Sequence, residues 1–215
     1  MNKLVIFDLD GTLLDTVPDI ADNVNIMLEK FGHSPCTLEQ IKKYIGNGAK
    51  KLVQRSIGKE LPEQEFNARH EYFVDIYAKN GTPKTKLFDG IGKVLTSLKE
   101  RGYKLAILTN KPQGATDNVY QTYLKDFGFD MVIGQSGSVK CKPDKTATLK
   151  ILTELDVLPE NCYFVGDGET DVLTAINSGT NGIAVLWGYR EKSQLLDAGA
   201  TLFASNPIDL LNIIK

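Results

Sequence analysis

Four apolar residues, Leu4-Val5-Ile6-Phe7, run straight into Asp8-Leu9-Asp10-Gly11-Thr12. An unbroken apolar run of this length reads as a strand buried on both faces, the kind found in parallel sheets. Aspartate is poor in strands, and two like charges this close repel each other. A buried strand ending in two carboxylates has a counter-charge to find, and a divalent cation is the obvious candidate. Residues i and i+2 of an extended chain project to the same side, so Asp8 and Asp10 can address one group.

From Thr16 to about Asn80 no strand pattern occurs. Ile20, Val24, Met27, Leu28 and Phe31 mark one helical face, stopped by Gly32. Thr37-Leu38-Glu39-Gln40 has the form of a capping box, and Phe66, His70, Phe73, Val74 and Tyr77 mark a further face. After Leu87 the rhythm changes. Apolar runs at 105–109, 129–133, 162–166, 182–186 and 202–204 alternate with helical patterns at 91–101, 114–124, 144–155, 172–178 and 191–198. Such alternation predicts an α/β fold, a Rossmann-like parallel sheet covered by helices on both faces. The first strand belongs to that sheet, yet the helical block separates it from the others. The expected organisation is an α/β core of residues 1–15 and 85–215 with an all-helical domain, 16–84, inserted. Two chain crossings near Asp15 and Lys84 would form a hinge.

A net charge of −2 gives no reason to expect nucleic acid or an anionic membrane as partner. No apolar run approaches the ~20 residues that span a bilayer, and the N-terminus enters a strand without a signal-peptide pattern. Cys36, Cys141 and Cys162 are too few and too scattered for a disulfide framework or a zinc site. The expectation is a cytoplasmic protein with free thiols and a small-molecule partner. His33 and His70 read as structural, one in a loop and one on a helix face.

In open parallel sheets, ligands bind beyond the C-terminal ends of the strands. Strand one delivers Asp8 and Asp10 there, and the next strand delivers Thr109 and Asn110. The loop after the third delivers Lys142, just before Pro143. The fourth delivers Asp167, with Asp171 shortly after. Each alone has a plain reading: an aspartate can cap a helix, and a lysine can sit on the surface. Their occurrence together, in order and at the right ends, points to a catalytic rim.

Asp8-Leu9-Asp10-Gly11-Thr12, Leu108-Thr109-Asn110, Lys142-Pro143 and Gly166-Asp167 with Asp171 resemble the four motifs of the haloacid dehalogenase-like phosphotransferases. The resemblance spans the chain, because the helical insert looks like that family's cap domain. Lys145 departs from it, standing where many relatives have a loop-shaping proline. The resemblance implies that Asp8 attacks phosphorus to form an aspartyl-phosphate. A carboxylate is already ionised near neutral pH and needs no base for this. Asp10 is then the general acid and base, protonating the leaving alkoxide and later taking a proton from water. The implied cofactor is Mg²⁺, held by Asp8, the Asp10 backbone carbonyl and Asp167, with Asp171 behind a metal-bound water. Lys142 is the second counter-charge, and Thr109 and Asn110 would bind the phosphoryl oxygens. Thr12 is expected to fix the loop.

Specificity should lie in the insert. Gly46-Asn47-Gly48 interrupts a helix, at roughly 1 kcal/mol per glycine. It reads either as an ordinary turn or as a loop closing over the substrate, whose N–H groups could meet a carboxylate. Lys50, Lys51 and Arg55 follow, as a solvated face or as an attractor of a small anion. Gly46-Asn47-Gly48-Ala49 with Leu52, and Leu186-Trp187-Gly188-Tyr189, are similar to phosphoglycolate phosphatases of the family. The expected function is Mg-dependent hydrolysis of a small phosphomonoester such as 2-phosphoglycolate. The core motifs also admit a phosphomutase, a pyrophosphatase or a nucleotidase. A binding module that has lost catalysis fits them least.

Overall fold

The structure, a computed structural model, describes residues 2–137 and 139–215. The first strand, β1 (Leu4–Phe7), lies inside a six-stranded sheet. Two short strands, β2 (Leu14–Asp15) and β3 (Lys86–Leu87), pair antiparallel outside it. The other sheet strands are β4 (Lys104–Pro112), β5 (Met131–Gln135), β6 (Cys162–Gly166), β7 (Asn181–Val185) and β8 (Phe203–Ala204). Their order is β5-β4-β1-β6-β7-β8, and every pairing is parallel. β1 is central, so its apolar side chains are buried on both sides. Val5 and Phe7 enter one cluster with Leu105, Ile107 and the helix α5 (Ile91–Glu100). Leu4 and Ile6 enter the opposite cluster with Phe164 and the helix α7 (Thr146–Glu154).

Between β2 and β3 run only helices: α1 (Val17–Lys30), α2 (Leu38–Tyr44), α3 (Ala49–Ile57) and α4 (Glu63–Lys79). They share an apolar cluster of their own, with Val24, Met27, Ile41, Val53 and Phe73 buried. The capping box forms as the sequence predicts. Thr37 Oγ1 accepts the Gln40 N–H, and Gln40 Oε1 accepts the Thr37 N–H. The chain crossings are tied to the core. Asp19 in the first turn of α1 accepts the Lys84 N–H and the Thr85 hydroxyl of the returning chain. The β2–β3 pair itself escapes the sequence, since two residues carry no periodic signal.

Other elements shift at their ends. The expected strand at 129–133 begins at Met131, because its parallel register with β4 starts at Ala106–Met131. Asp130, just before it, instead accepts the Leu105 N–H with its carboxylate. The helix expected over 114–124 is α6 (Gln113–Val119), continued by one π turn at Tyr120–Leu124. The helix expected from 144 is α7, which starts at Thr146 because Asp144 caps the Thr146 N–H. The helix expected from 172 starts at Glu169 as α8 (Glu169–Ser178), since Asp171 turns back onto the Gly168 N–H. After β7 come α9 (Lys192–Asp197) and a short helix α10 (Leu210–Ile213), the latter not anticipated. No described helix is long and apolar enough to cross a membrane.

Candidate active site

The C-terminal ends of β1, β4 and β6 open onto one chamber, roofed by α1, α3 and α4. Its volume is about 50 Å³, a few times the ~10–15 Å³ that one water needs. Asp8 stands at its floor, and its backbone N–H donates to the Val165 carbonyl at 2.8 Å. Lys142 Nζ lies 2.8 Å from Asp8 Oδ1 and 2.6 Å from Asp171 Oδ1. At 2.8 Å the Asp8 carboxylate and the Lys142 ammonium form a buried ion pair.

Asp8, Asp167 and Asp171 each present an oxygen within 4.8 Å of the others, and all three are buried. Asp167 is fixed by the Thr12 hydroxyl at 3.2 Å and the Tyr189 N–H at 2.7 Å. Glycines wall it in. A Cβ on Gly11, which has φ +88°, would lie 2.4 Å from Asp167 Oδ2, and one on Gly188 would lie 2.2 Å from Asp167 Cβ. Burial raises the Asp167 carboxyl to about 8, reinforced by Asp8 and Asp171. Burial likewise raises Asp8 to about 6, against the lowering effect of Lys142. Burial would lower Lys142, but Asp171 and Asp8 outweigh it and hold its pKa above the usual lysine value. One ammonium among three buried carboxylates leaves negative charge over. Hard oxygen donors gathered within 4.8 Å of one another and excess negative charge together fit a small divalent cation such as Mg²⁺.

These shifts set a stability dependence on pH. An acid whose folded pKa lies above its unfolded value binds more protons when folded, so its contribution is lost as pH rises through the folded pKa. Chelator-treated protein should therefore lose thermal stability as pH rises through about 6 and about 8. Millimolar Mg²⁺ should flatten that slope, since a bound cation favours the ionised carboxylates. Melting curves from pH 5 to 8.5 with and without Mg²⁺ check this. A metal-independent profile would count against the cation site.

Asp10 also lines the chamber. Its Oδ1 accepts the Thr16 hydroxyl at 2.7 Å and the Lys111 ammonium at 2.9 Å. Thr109 is buried and its hydroxyl accepts the Lys111 N–H at 3.3 Å. The Asn110 side chain is a clamp. Its Oδ1 accepts the Lys142 N–H at 2.7 Å, and its Nδ2 donates to the Lys142 and Gly46 carbonyls at 3.2 and 2.9 Å. Asp171 Oδ2 accepts the Gly168 N–H at 2.9 Å. Both of its oxygens are thus engaged by protein, and its closest charged partner is Lys142.

Gly46 and Gly48 line the chamber, but the side chain of Asn47 does not. Its Oδ1 accepts from Arg55 Nη1 at 2.8 Å, so Asn47 and Arg55 brace the loop from outside. The loop meets the core through the Gly46 carbonyl, not through the N–H groups expected to meet substrate. Lys50 and Lys51 are exposed and away from the chamber. His33 accepts from Arg69, and His70 stacks on Phe66.

Sequence reasoning missed three residues, and the cap contact of a fourth, Tyr189. Lys111 and Tyr77 are buried in the chamber wall and bonded to each other. Lys111 follows Thr109-Asn110 directly, which was its only signal, and Tyr77 passed as part of an apolar helix face. The Tyr189 hydroxyl accepts the Thr16 and Val17 N–H groups where α1 leaves the core. Arg190 donates to Glu169 and to the carbonyls of Lys42 and Ile45, bridging the sheet rim to α2.

A sequence profile of the haloacid dehalogenase-like hydrolases matches residues 5–185. Phosphoglycolate phosphatase 1 of Pseudomonas aeruginosa is 34% identical over 214 residues, covering 97% of this chain and 78% of the relative. The phosphoglycolate phosphatase of Vibrio cholerae is 31% identical, covering 99% of this chain and 96% of the relative. The crystal structure of a predicted phosphoglycolate phosphatase from Haemophilus somnus 129pt superposes with a TM-score of 0.90 at 28% identity. That match covers 100% of this chain and 98% of the other.

Proposed function

Because the chain belongs to the haloacid dehalogenase-like hydrolases and is a phosphoric monoester hydrolase, we infer that it hydrolyses 2-phosphoglycolate with Mg²⁺ through an aspartyl-phosphate on Asp8. The observation that carries this reading is Asp8 itself: a buried carboxylate at the floor of a small chamber, clustered with Asp167 and Asp171 and 2.8 Å from the Lys142 ammonium.

In the first step an Asp8 oxygen bonds to phosphorus and the ester P–O bond breaks. The leaving oxygen takes a proton from Asp10. Water then attacks phosphorus, the Asp8–phosphoryl bond breaks, and the water's proton goes to Asp10. Thr16 and Lys111 orient the Asp10 carboxyl for both transfers. An anion attacking a dianion is opposed by about 4 kcal/mol per charge pair at ~4 Å and an effective dielectric of 20. Lys142, turned toward Asp8 by Asp171 and by the Asn110 clamp, offsets part of this. Asp8, Asp167 and the Asp10 backbone carbonyl would hold Mg²⁺, with Asp171 behind it. The cation would supply charge neutralisation of the phosphoryl oxygens. Thr109 would hydrogen-bond those oxygens.

Residues 16–84 serve as a cap domain over the core, 1–15 and 85–215, moving at the β2–β3 pair. The substrate in this reading is taken from the relatives, which are named as phosphoglycolate phosphatases. The test is phosphate release from a panel of phosphorylated metabolites, with Mg²⁺ and with chelator. The expected result is Mg-dependent release, greatest from 2-phosphoglycolate. Release from none of them would sink the assignment, and conversion of a sugar phosphate without free phosphate would replace it with a mutase.

A further inference from the structure

Beneath the cap the chamber holds a second polar site, distinct from the carboxylates around Asp8. Most of the cap wall is apolar, with Ile20, Leu52 and Phe73 lining it. Two polar groups interrupt it, the Lys111 ammonium and the Tyr77 hydroxyl. The Lys111 side chain is 1% exposed. A buried ammonium needs its charge matched and its three donors used. Here Nζ donates to Asp10 Oδ1 and to the Tyr77 hydroxyl, and it lies 4.4 Å from the Tyr77 ring centroid. Two donors are thereby used. The third has no acceptor among the described residues.

The one carboxylate oxygen it does have is shared with Thr16. Tyr77 accepts from Lys111, so its own O–H proton remains to be donated, and no described residue accepts it. The Tyr77 pKa stands well above the ordinary tyrosine value, through burial and then the charges of Asp10 and Asp19, so the hydroxyl keeps that proton.

The chamber has one other lining cation, Arg190, and its guanidinium is committed to Glu169 and to the Lys42 and Ile45 carbonyls. Lys142 is committed to Asp8 and Asp171. Two unspent donors, one of them cationic, thus stand side by side in a mostly apolar stretch of the chamber that the nucleophile also lines. We propose that the Lys111 ammonium and the Tyr77 hydroxyl form the subsite that binds the carboxylate of a small phosphorylated acid. This rests on the function inferred above and names the residues that set its substrate class. Lys111 reads the acid end of the substrate, and Tyr77 holds Lys111 in place while supplying a second donor. A phosphate ester of the same size without the carboxylate leaves the cationic donor without its counter-charge, and that is the source of discrimination.

The measurement is the ratio of kcat/KM for 2-phosphoglycolate to that for 2-hydroxyethyl phosphate, which has a hydroxymethyl group in place of the carboxylate. Charge-assisted bonds of this kind correspond to about tenfold to 150-fold. The wild type should prefer the acid by at least that range, Lys111→Met should cut the ratio by tenfold or more, and Lys111→Arg should recover part of it. Lys111 also touches Asp10, so both rates can fall in Lys111→Met. The ratio and a binding measurement separate the two effects. Calorimetry on the turnover-deficient Asp8→Asn protein should show tighter binding of the acid than of 2-hydroxyethyl phosphate, a difference that Asp8→Asn/Lys111→Met loses. Tyr77→Phe leaves the ammonium in place and should lower the ratio by a smaller factor. A wild type that releases phosphate from 2-phosphoglycolate, with ratios unchanged in Lys111→Met and Tyr77→Phe, overturns this inference alone. A wild type that cleaves no carboxylated ester overturns the parent reading as well.

Discussion

Replacing Asp8 by Asn should abolish turnover, by roughly 10⁴-fold or more as expected for loss of a covalent nucleophile, while leaving the protein folded. The carboxamide has the size of the carboxylate it replaces and cannot form the mixed anhydride. Stability should hold or rise in metal-free protein. Asp8 is a buried anion crowded by Asp171 and Asp10, and its raised pKa means that its ionised form is disfavoured in the fold. The variant should also lose most of the Mg²⁺-induced rise in melting temperature, since one ligand of the cluster is gone. Acid-quenched peptide mapping gives the direct check. A phosphoryl adduct should appear on the peptide containing Asp8 in the wild type and be absent from the variant. Residual turnover near the wild-type rate would mean that another group attacks phosphorus.

Lys142→Met should be the most damaging single change to stability. Lys142 is 3% exposed and touches two carboxylates at 2.8 and 2.6 Å. Methionine of similar volume leaves Asp8, Asp167 and Asp171 buried with no ammonium among them. Breaking a buried pair from one side costs about 3–5 kcal/mol. For a chain of this size that is roughly 6–20 °C in melting temperature. The loss should shrink at pH 5, where the crowded carboxylates accept protons, and shrink again with added Mg²⁺, which replaces the missing positive charge. Turnover should fall by a factor well beyond what unfolding explains, since the counter-charge to Asp8 and the phosphoryl oxygens goes with it. A variant as stable as the wild type in chelator would show that the three carboxylates do not need the lysine.

Both predictions concern residues legible in the chain before any coordinates. Asp8, Asp10, Lys142, Asp167 and Asp171 stand at the ends of apolar runs, and a parallel sheet collects such ends on one rim. The capping box at Thr37 was equally readable, because its two bonds are made within four residues. Arg190 and Tyr189 were not readable as cap contacts. Their partners lie more than 140 positions away, at Ile45, Lys42, Thr16 and Val17, and no local period encodes such a pairing. Asn47 misled for a related reason. The glycines on either side are drawn to the chamber by φ angles of +106° and +84°, but the asparagine between them points outward to Arg55.

By itself, then, the order of residues determined the fold class and the inventory of chemistry at the rim. Periodicity is a local property of the chain, and a buried strand that ends in aspartate declares its own electrostatic need. The tertiary structure alone decided how those charges are shared. It set Lys142 between Asp8 and Asp171, gathered oxygens of Asp8, Asp167 and Asp171 within 4.8 Å of one another, and placed Lys111 of the core against Tyr77 of the inserted helices. Burial and distance set the strength of charge interactions, and both come from segments remote in sequence closing over one another. The two aspartates at the end of β1 therefore have different neighbours. Asp8 faces Lys142 and the carboxylate cluster, while Asp10 faces Lys111 and Thr16 on the side where the cap comes down.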